Sequence, residues 1–410
     1  MARVGRTPSG EPPAGISTRL AVLLAIASGV AVANIYYAQP LLGQIGRDLG
    51  VGPAGLGLVT TVTQAGYFLG LILIVPLGDL VNRRLLIVAG CVIAAAALIS
   101  VAVSPGPQMF LIASGVVGVA SVVQQIINAY AAALSGPAMR GRILGIVTSG
   151  VVFGVLLART VSGVLADVLD WRSVYVFSAI LMLGLALVLA RVLPPENTRS
   201  AVPYGRLVTS VVTLTLHERV FRVRALITLL IFAGFGALWG SMALPLTTAP
   251  WHLSTTEVGL FGLVGAAGAV GAARAGALAD RGRAQWVTGI TLVLFAISWA
   301  PIAWLPNSLL VLIIGIVVLN LAGQAISVTN QLLIVEIDPT ASSQLIGGNT
   351  VYYAIGTGGG AIAATTVYSA WGWGAVCILG AGLSTLALLI WAGDRISAKP
   401  RRTARADITA

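Results

Sequence analysis

The sequence predicts an all-α membrane protein of twelve transmembrane helices, arranged as two pseudo-symmetric six-helix bundles. Three observations predict it. The chain is 57% hydrophobic and 9% charged, which leaves too little polar surface to cover a globule in water. Its apolar residues fall in stretches of the ~20 residues a helix needs to cross a bilayer while satisfying its own backbone hydrogen bonds. Two short charged runs, Asp79-Leu80-Val81-Asn82-Arg83-Arg84 and Asp280-Arg281-Gly282-Arg283, each close the second stretch in a run of six. The chain therefore reads as a duplication, the layout of secondary transporters whose substrate site lies between two halves.

The first six spans run from 19 to 44, 54 to 78, 85 to 104, 109 to 134, 143 to 166 and 172 to 193. The second six run from 224 to 248, 257 to 279, 286 to 305, 308 to 335, 344 to 369 and 373 to 393. This gives an N-terminal bundle over 1–193, a cytoplasmic linker over 194–223 and a C-terminal bundle with a basic tail over 224–410. The first stretch is too long for a signal peptide, follows an arginine-containing leader and lacks a clear cleavage site, so none is expected. The linker opens with Pro194-Pro195-Glu196-Asn197, a helix stop followed by turn formers. Within it, Leu207, Val211, Leu214 and Val220 share a helical face beside Arg206, Arg219 and Arg222. That pattern fits a short helix on the inner membrane surface, or else a disordered linker. Cys91 and Cys377 fall in spans three and twelve and read as small buried hydrophobes.

Basic residues give the orientation. With the N-terminus inside, twenty of the 24 arginines and lysines fall in cytoplasmic segments. Arg47 and Arg172 lie outside, and Arg159 and Arg274 lie within spans. Both termini are thus expected in the cytoplasm of a bacterial-type inner membrane. The net charge of +11 is then topological and gives no reason to expect a nucleic-acid partner.

Polar residues inside spans cost free energy and mark function. Asn34 and Gln39 lie in span 1, Gln64 in span 2, Gln124, Gln125 and Asn128 in span 4. Asn320, Gln324, Asn330 and Gln331 lie in span 10 and Asn349 in span 11. Spans 3, 6, 9 and 12 have no Asn or Gln well inside, so every third helix is apolar enough to face lipid. In span 10, Asn320, Gln324, Ser327 and Gln331 form one helical stripe, which Ser114, Ser121, Gln125 and Asn128 repeat in span 4. The candidates for substrate contact are Asn34, Tyr37, Gln64, Gln125, Asn128, Arg159, Trp239, Asn320, Gln324, Gln331 and Asn349. Interhelical hydrogen bonding is the competing role for each amide. Arg159 has two readings: it faces the cavity and attracts an anionic or strongly hydrogen-bonding group, or it snorkels toward Asp167 and the outer water. Arg274 fits a snorkelling role near the inner end of span 8.

Other classes fit poorly. The only lysine is Lys399 in the tail, so a phosphate-binding loop is absent and an ATP-driven pump is excluded. No His, Cys or acid cluster with catalytic spacing lies in the spans, so no enzyme, metal or cofactor is expected. A carboxylate or imidazole for proton coupling is also missing from the membrane core: Asp79 and Glu336 lie at inner ends, Asp167 and Glu257 at outer ends.

The run from Asp79 to Arg84, with Gly276-Ala277-Leu278-Ala279-Asp280-Arg281-Gly282-Arg283, resembles motif A of the major facilitator superfamily. The resemblance implies a conformational latch at Asp79, with Arg83, Arg84 and the duplicate Asp280, Arg281 and Arg283 as candidate partners. Asn82 stands where glycine is usual, and asparagine best tolerates the left-handed backbone after glycine. Gly145, Gly154, Ala158, Arg159, Ser162 and Gly163 are similar to motif C of drug and metabolite exporters, with Arg159 at its proline position. Asn34-Ile35-Tyr36-Tyr37-Ala38-Gln39-Pro40-Leu41-Leu42 resembles the branch of sugar, purine-nucleoside and multidrug efflux proteins. The resemblance implies proton-coupled efflux of a small organic molecule by a functional monomer, with substrate, lipid and protons as its partners. An uptake carrier of the same fold and a non-transporting sensor are the alternatives.

Overall fold

A computed structural model describes residues 17–135, 139–194, 215–338 and 342–397, and among them it contains helices and no strand. Most of the linker lies outside the described residues, and with it Leu207, Val211 and Leu214 of the expected surface helix.

The helices follow the expected spans. Span 1 is α1 (Thr18–Ala33) and α2 (Ala38–Leu49), span 2 is α3 (Pro53–Leu73), and span 3 is α4 (Arg83–Ala102). Span 4 is α5 (Pro107–Ser121) and α6 (Val123–Leu134), span 5 is α7 (Arg140–Val168), and span 6 is α8 (Trp171–Val192). Span 7 is α9 (Arg219–Ser241) and α10 (Ala243–Leu246), and span 8 is α11 (Thr255–Val264) and α12 (Ala267–Leu278). Span 9 is α13 (Ala284–Ile297) and α14 (Trp299–Ala303), and span 10 is α15 (Leu309–Val335). Spans 11 and 12 share α16 (Ser342–Ser397), interrupted at Gly372, whose φ of 75° only glycine adopts readily.

Local chemistry sets these boundaries. Ser17, Asn82, Asp170 and Ser308 each accept a backbone N–H from the first turn of the helix they precede. Pro107 opens α5 at a position where its missing N–H costs nothing. Among the described residues ten helical segments are long and apolar enough to cross a membrane, with broken spans such as Thr18–Leu49 and the joined Leu345–Ser397 each counted once, while α11 is a shorter apolar helix.

The duplication reappears in the packing. Span 1 meets span 5 so closely that a Cβ on Gly29 would stand 2.6 Å from the Gly150 carbonyl oxygen. Span 7 meets span 11 likewise, where a Cβ on Gly240 would stand 2.8 Å from Ala361 Cβ. Both fifth spans carry glycines four apart, Gly150 and Gly154 in one and Gly356 and Gly360 in the other. In lipid, where tails are as apolar as leucine, such small residues permit the close approach that holds helices together.

Two compact units result. The first contains Met1–Leu49, Ala65–Tyr204 and Ser254–Gly262, and the second Gly50–Gln64, Gly205–Leu253 and Leu263–Ala410. Each unit is built on one repeat and includes the first half of the second span of the other repeat.

Candidate functional site

In the first unit, the polar residues of span 1 gather where α1 gives way to α2. Asn34, 4% exposed, ends α1, and its Oδ1 accepts a 2.6 Å hydrogen bond from Ser178 Oγ of α8. Its Nδ2 is buried without a partner. Tyr37, also 4% exposed, lies beside the same serine. One turn on, Gln39 Oε1 accepts from Arg159 Nε at 2.7 Å. Arg159 Nη1 also reaches the Val155 carbonyl at 3.3 Å, and its guanidinium lies 4.9 Å from the centre of the Tyr36 ring. These three partners are neutral, and a cation over an aromatic face contributes about 0.5–2 kcal/mol, rising with burial. Gln39 and Tyr36 are thus the residues that orient the expected site arginine.

Asp167 does not serve Arg159. Its carboxylate accepts the backbone N–H groups of Thr255 at 3.2 Å and Thr256 at 2.6 Å, at the start of α11. Gln44 Nε2 donates to Thr255 Oγ1 at 2.7 Å, and Thr160 Oγ1 donates to the Gly259 carbonyl at 3.2 Å. Of the two readings for Arg159, the pairing with Asp167 is the one this geometry lacks.

The amide stripes divide. Half-buried Gln125 donates to the Tyr67 hydroxyl at 3.2 Å, and half-buried Asn128 keeps an unpartnered Oδ1. In the second unit, Asn320 Nδ2 is taken by the Ile316 carbonyl of its own helix at 2.8 Å. Gln324 packs beside Gly268, where an added Cβ would stand 2.7 Å from its Cγ, and Gln331 is exposed. Gln64 is 1% exposed with both amide atoms unpartnered. Asn349 is 6% exposed with an unpartnered Oδ1, and Trp239 is buried. Gln64 and Asn349 thus each present buried amide atoms for which no protein group among the described residues supplies a hydrogen bond.

At the first charged run, Val75–Asp79 forms a 3-10 turn. Asn82 does not adopt the left-handed conformation expected of it: its φ and ψ are −59° and 113°, and its side chain caps α4 by accepting from Arg84 N at 2.9 Å. Capping needs extended backbone, and that requirement overrides the glycine-like role. Arg84 donates to the Ala190 carbonyl of α8, and Arg83 is half-buried. At the second run, Gly282 does take φ of 75°, and Arg281, Arg283 and Arg274 are exposed.

Sequence reasoning placed Arg224 among the arginines of the inner surface, and here the structure differs. Arg224 is 1% exposed. It donates to Gln285 Oε1 at 2.7 Å and to Asn330 Oδ1 at 3.3 Å, and Trp391 Nε1 shares the same Gln285 oxygen at 3.3 Å. Among the described residues no group of three or more His, Cys, Asp or Glu is placed to hold a metal.

Comparison with known proteins agrees with this architecture. The chain is 40% identical over 381 residues to the uncharacterized transporter YgaY of Escherichia coli O157:H7, covering 93% of this chain and 97% of the relative. It is 35% identical over 378 residues to SCO4007 of Streptomyces coelicolor, described as a probable transporter, covering 91% and 87% of the two chains. The fold matches the crystal structure of a bacterial homologue of the human lysosomal transporter Spinster, in an inward-facing and unoccupied conformation. The TM-score is 0.74, the identity 15%, and the match covers 92% of this chain and 95% of the other. The family model of the Major Facilitator Superfamily matches residues 24–336 and 224–409. The chain is therefore a member of the Major Facilitator Superfamily, an all-helical integral membrane protein of the transporter type.

Proposed function

We propose that this protein is a secondary active exporter that moves a small organic molecule, drug-like, sugar-like or nucleoside-like, out of the cell by alternating access in exchange for protons. It works as a monomer in a bacterial-type inner membrane, with both termini cytoplasmic and no cofactor or metal. Family membership and the arginine asymmetry support this reading, and the likeness to motif C supports the outward direction. The observation that carries the substrate side is the buried Arg159 guanidinium, held by Gln39 and lying over Tyr36 where α1 gives way to α2. Two-handed donors beside an aromatic face suit a polyhydroxylated or anionic ring compound. The candidate contacts are those named from the sequence, joined by Tyr36 and Gln39. Asp79, Arg83, Arg84, Asp280, Arg281 and Arg283 are assigned to the inner latch.

The test is purified protein in proteoliposomes with and without an imposed pH gradient, assayed over a panel of sugars, nucleosides and amphipathic drugs. Export driven by the gradient supports the reading. Flux in the opposite sense makes the protein an uptake carrier, and binding without counterflow makes it a sensor.

A further inference from the structure

The start of α11 has more hydrogen-bonding provision than a helix needs. Its first turn reads Ser254-Thr255-Thr256-Glu257, a capping box in which Ser254 N donates to Glu257 Oε2 at 2.8 Å and Glu257 N donates to Ser254 Oγ at 3.2 Å. Val258 N closes the first regular turn on the Ser254 carbonyl at 3.1 Å. Two donors remain, the N–H groups of Thr255 and Thr256. Both go to Asp167, a carboxylate from the end of α7. A carboxylate at a helix N-terminus gains from the dipole as well as from charge-assisted hydrogen bonds.

Four further contacts join the same two helices and their neighbour. Gln44 of α2 donates to Thr255 Oγ1 at 2.7 Å, and Thr160 donates to the Gly259 carbonyl at 3.2 Å. On α7, a Cβ at Gly163 would stand 3.0 Å from Thr256 Cα, and one at Gly262 of α11 would stand 3.2 Å from Arg159 Cδ. This seam belongs to the segment Ser254–Gly262 that lies in the first unit although its repeat builds the second. The reciprocal segment, Gly50–Gln64, is held differently: its hydrogen bond to span 11 is Thr61 Oγ1 to the Gly358 carbonyl at 2.8 Å. One exchanged segment is fastened by a carboxylate and the other by a hydroxyl.

We propose that Asp167 is a latch that fastens the first half of span 8 to span 5, at the end of the helices opposite the motif A runs, and that the latch must release once in each transport cycle. This rests on the alternating-access reading above and adds a residue that the motif A resemblance does not reach. Arg159 sits on the same helix two turns away and packs on the same glycine face of α11, so release of α11 also uncovers the site arginine. Occupancy of the site and closure of the seam are coupled through that one face.

The test is a distance measurement by double electron–electron resonance on the full chain in lipid nanodiscs. Spin labels are placed at Val164→Cys on α7 and Leu260→Cys on α11, both exposed, in a Cys91→Ala, Cys377→Ala background. Asp167→Asn loses charge and presents an N–H to the two donors, so the ratio of long to short distances is expected to rise about tenfold. Thr256→Pro removes one of the two donors while leaving the carboxylate intact, and proline is tolerated in a first helical turn. It should shift the ratio in the same direction. Unchanged distances in both variants overturn the latch, as does a shift in Asp167→Asn that Thr256→Pro does not share. If Asp167→Asn is not recovered folded, Thr256→Pro decides alone. The measurement needs no substrate: shifted distances without transport in any assay would sink the exporter reading and keep the latch, and transport with unshifted distances would do the reverse.

Discussion

Arg224 is held by two amide oxygens, so truncating it strands Asn330 Oδ1 in a buried position and leaves Gln285 Oε1 with Trp391 Nε1 as its donor. Arg224→Met should destabilise the protein in detergent by about 1–3 kcal/mol, read as a lower midpoint of thermal unfolding. Arg224→Lys should recover part of that, because an ammonium reaches one acceptor without the planar fork that spans two. For Arg159 the expected loss is in binding. Arg159→Gln should weaken apparent affinity for anionic or polyhydroxylated substrates about tenfold, with neutral apolar substrates little changed. Neutralising Asp167 in the same protein should add its own effect and not rescue the first, since its carboxylate bonds to Thr255 and Thr256. Rescue by the double mutant would return Arg159 to a structural pairing. Both arginines are visible in the sequence, and only one is singled out there. Arg159 stands within a span, where the sequence leaves two readings, facing the cavity or snorkelling to the outer water. Arg224 stands at a span's first residue, and its partners lie 61 and 106 positions away, so nothing local distinguishes it from the exposed Arg222 two residues earlier.

Helix ends show which local signals survive tertiary packing. Asn82 was expected to imitate glycine in a left-handed turn, and instead it caps α4. Asn82→Ala should therefore cost about 1 kcal/mol, while Asn82→Gly should cost only a few tenths, measured by unfolding in detergent. Equal losses in both would mean that the asparagine serves the turn and not the cap. The capping box at Ser254–Glu257 is absent from the sequence reading, although a serine followed three residues later by glutamate is its signature. What no pattern revealed is that two donors of that turn serve a carboxylate 88 residues earlier. Apolar length placed the span ends to within a few residues, because the bilayer fixes them. The breaks within spans 1, 4, 7, 8 and 9 were not legible, since short interruptions leave hydropathy almost unchanged.

For the whole molecule, the strongest sequence signal is the separation of charge. Twenty of 24 basic residues fall on one side of the proposed bilayer, and discounting the buried Arg224 leaves the asymmetry intact. Positive charge close to span ends is retained on the cytoplasmic side during insertion, while acidic residues carry little weight. On the proposed topology the exposed Arg281 and Arg283, with Arg84 at the matching end of span 3, lie on that side together with both motif A runs. The ends bearing Asp48 and Asp167 then face outward. A green fluorescent protein fused after Ala410 should fluoresce, and alkaline phosphatase at the same point should be inactive. The phosphatase fused after Thr248, in the loop between spans 7 and 8, should be active. The reverse pattern would invert the topology and with it the direction of export. It would also move the Asp167 latch to the cytoplasmic face and the motif A runs to the outer one, exchanging the face that each closes. Agreement at both fusion points would fix the frame within which the Asp79 and Asp167 ends are proposed to act as alternate closures of one transport path.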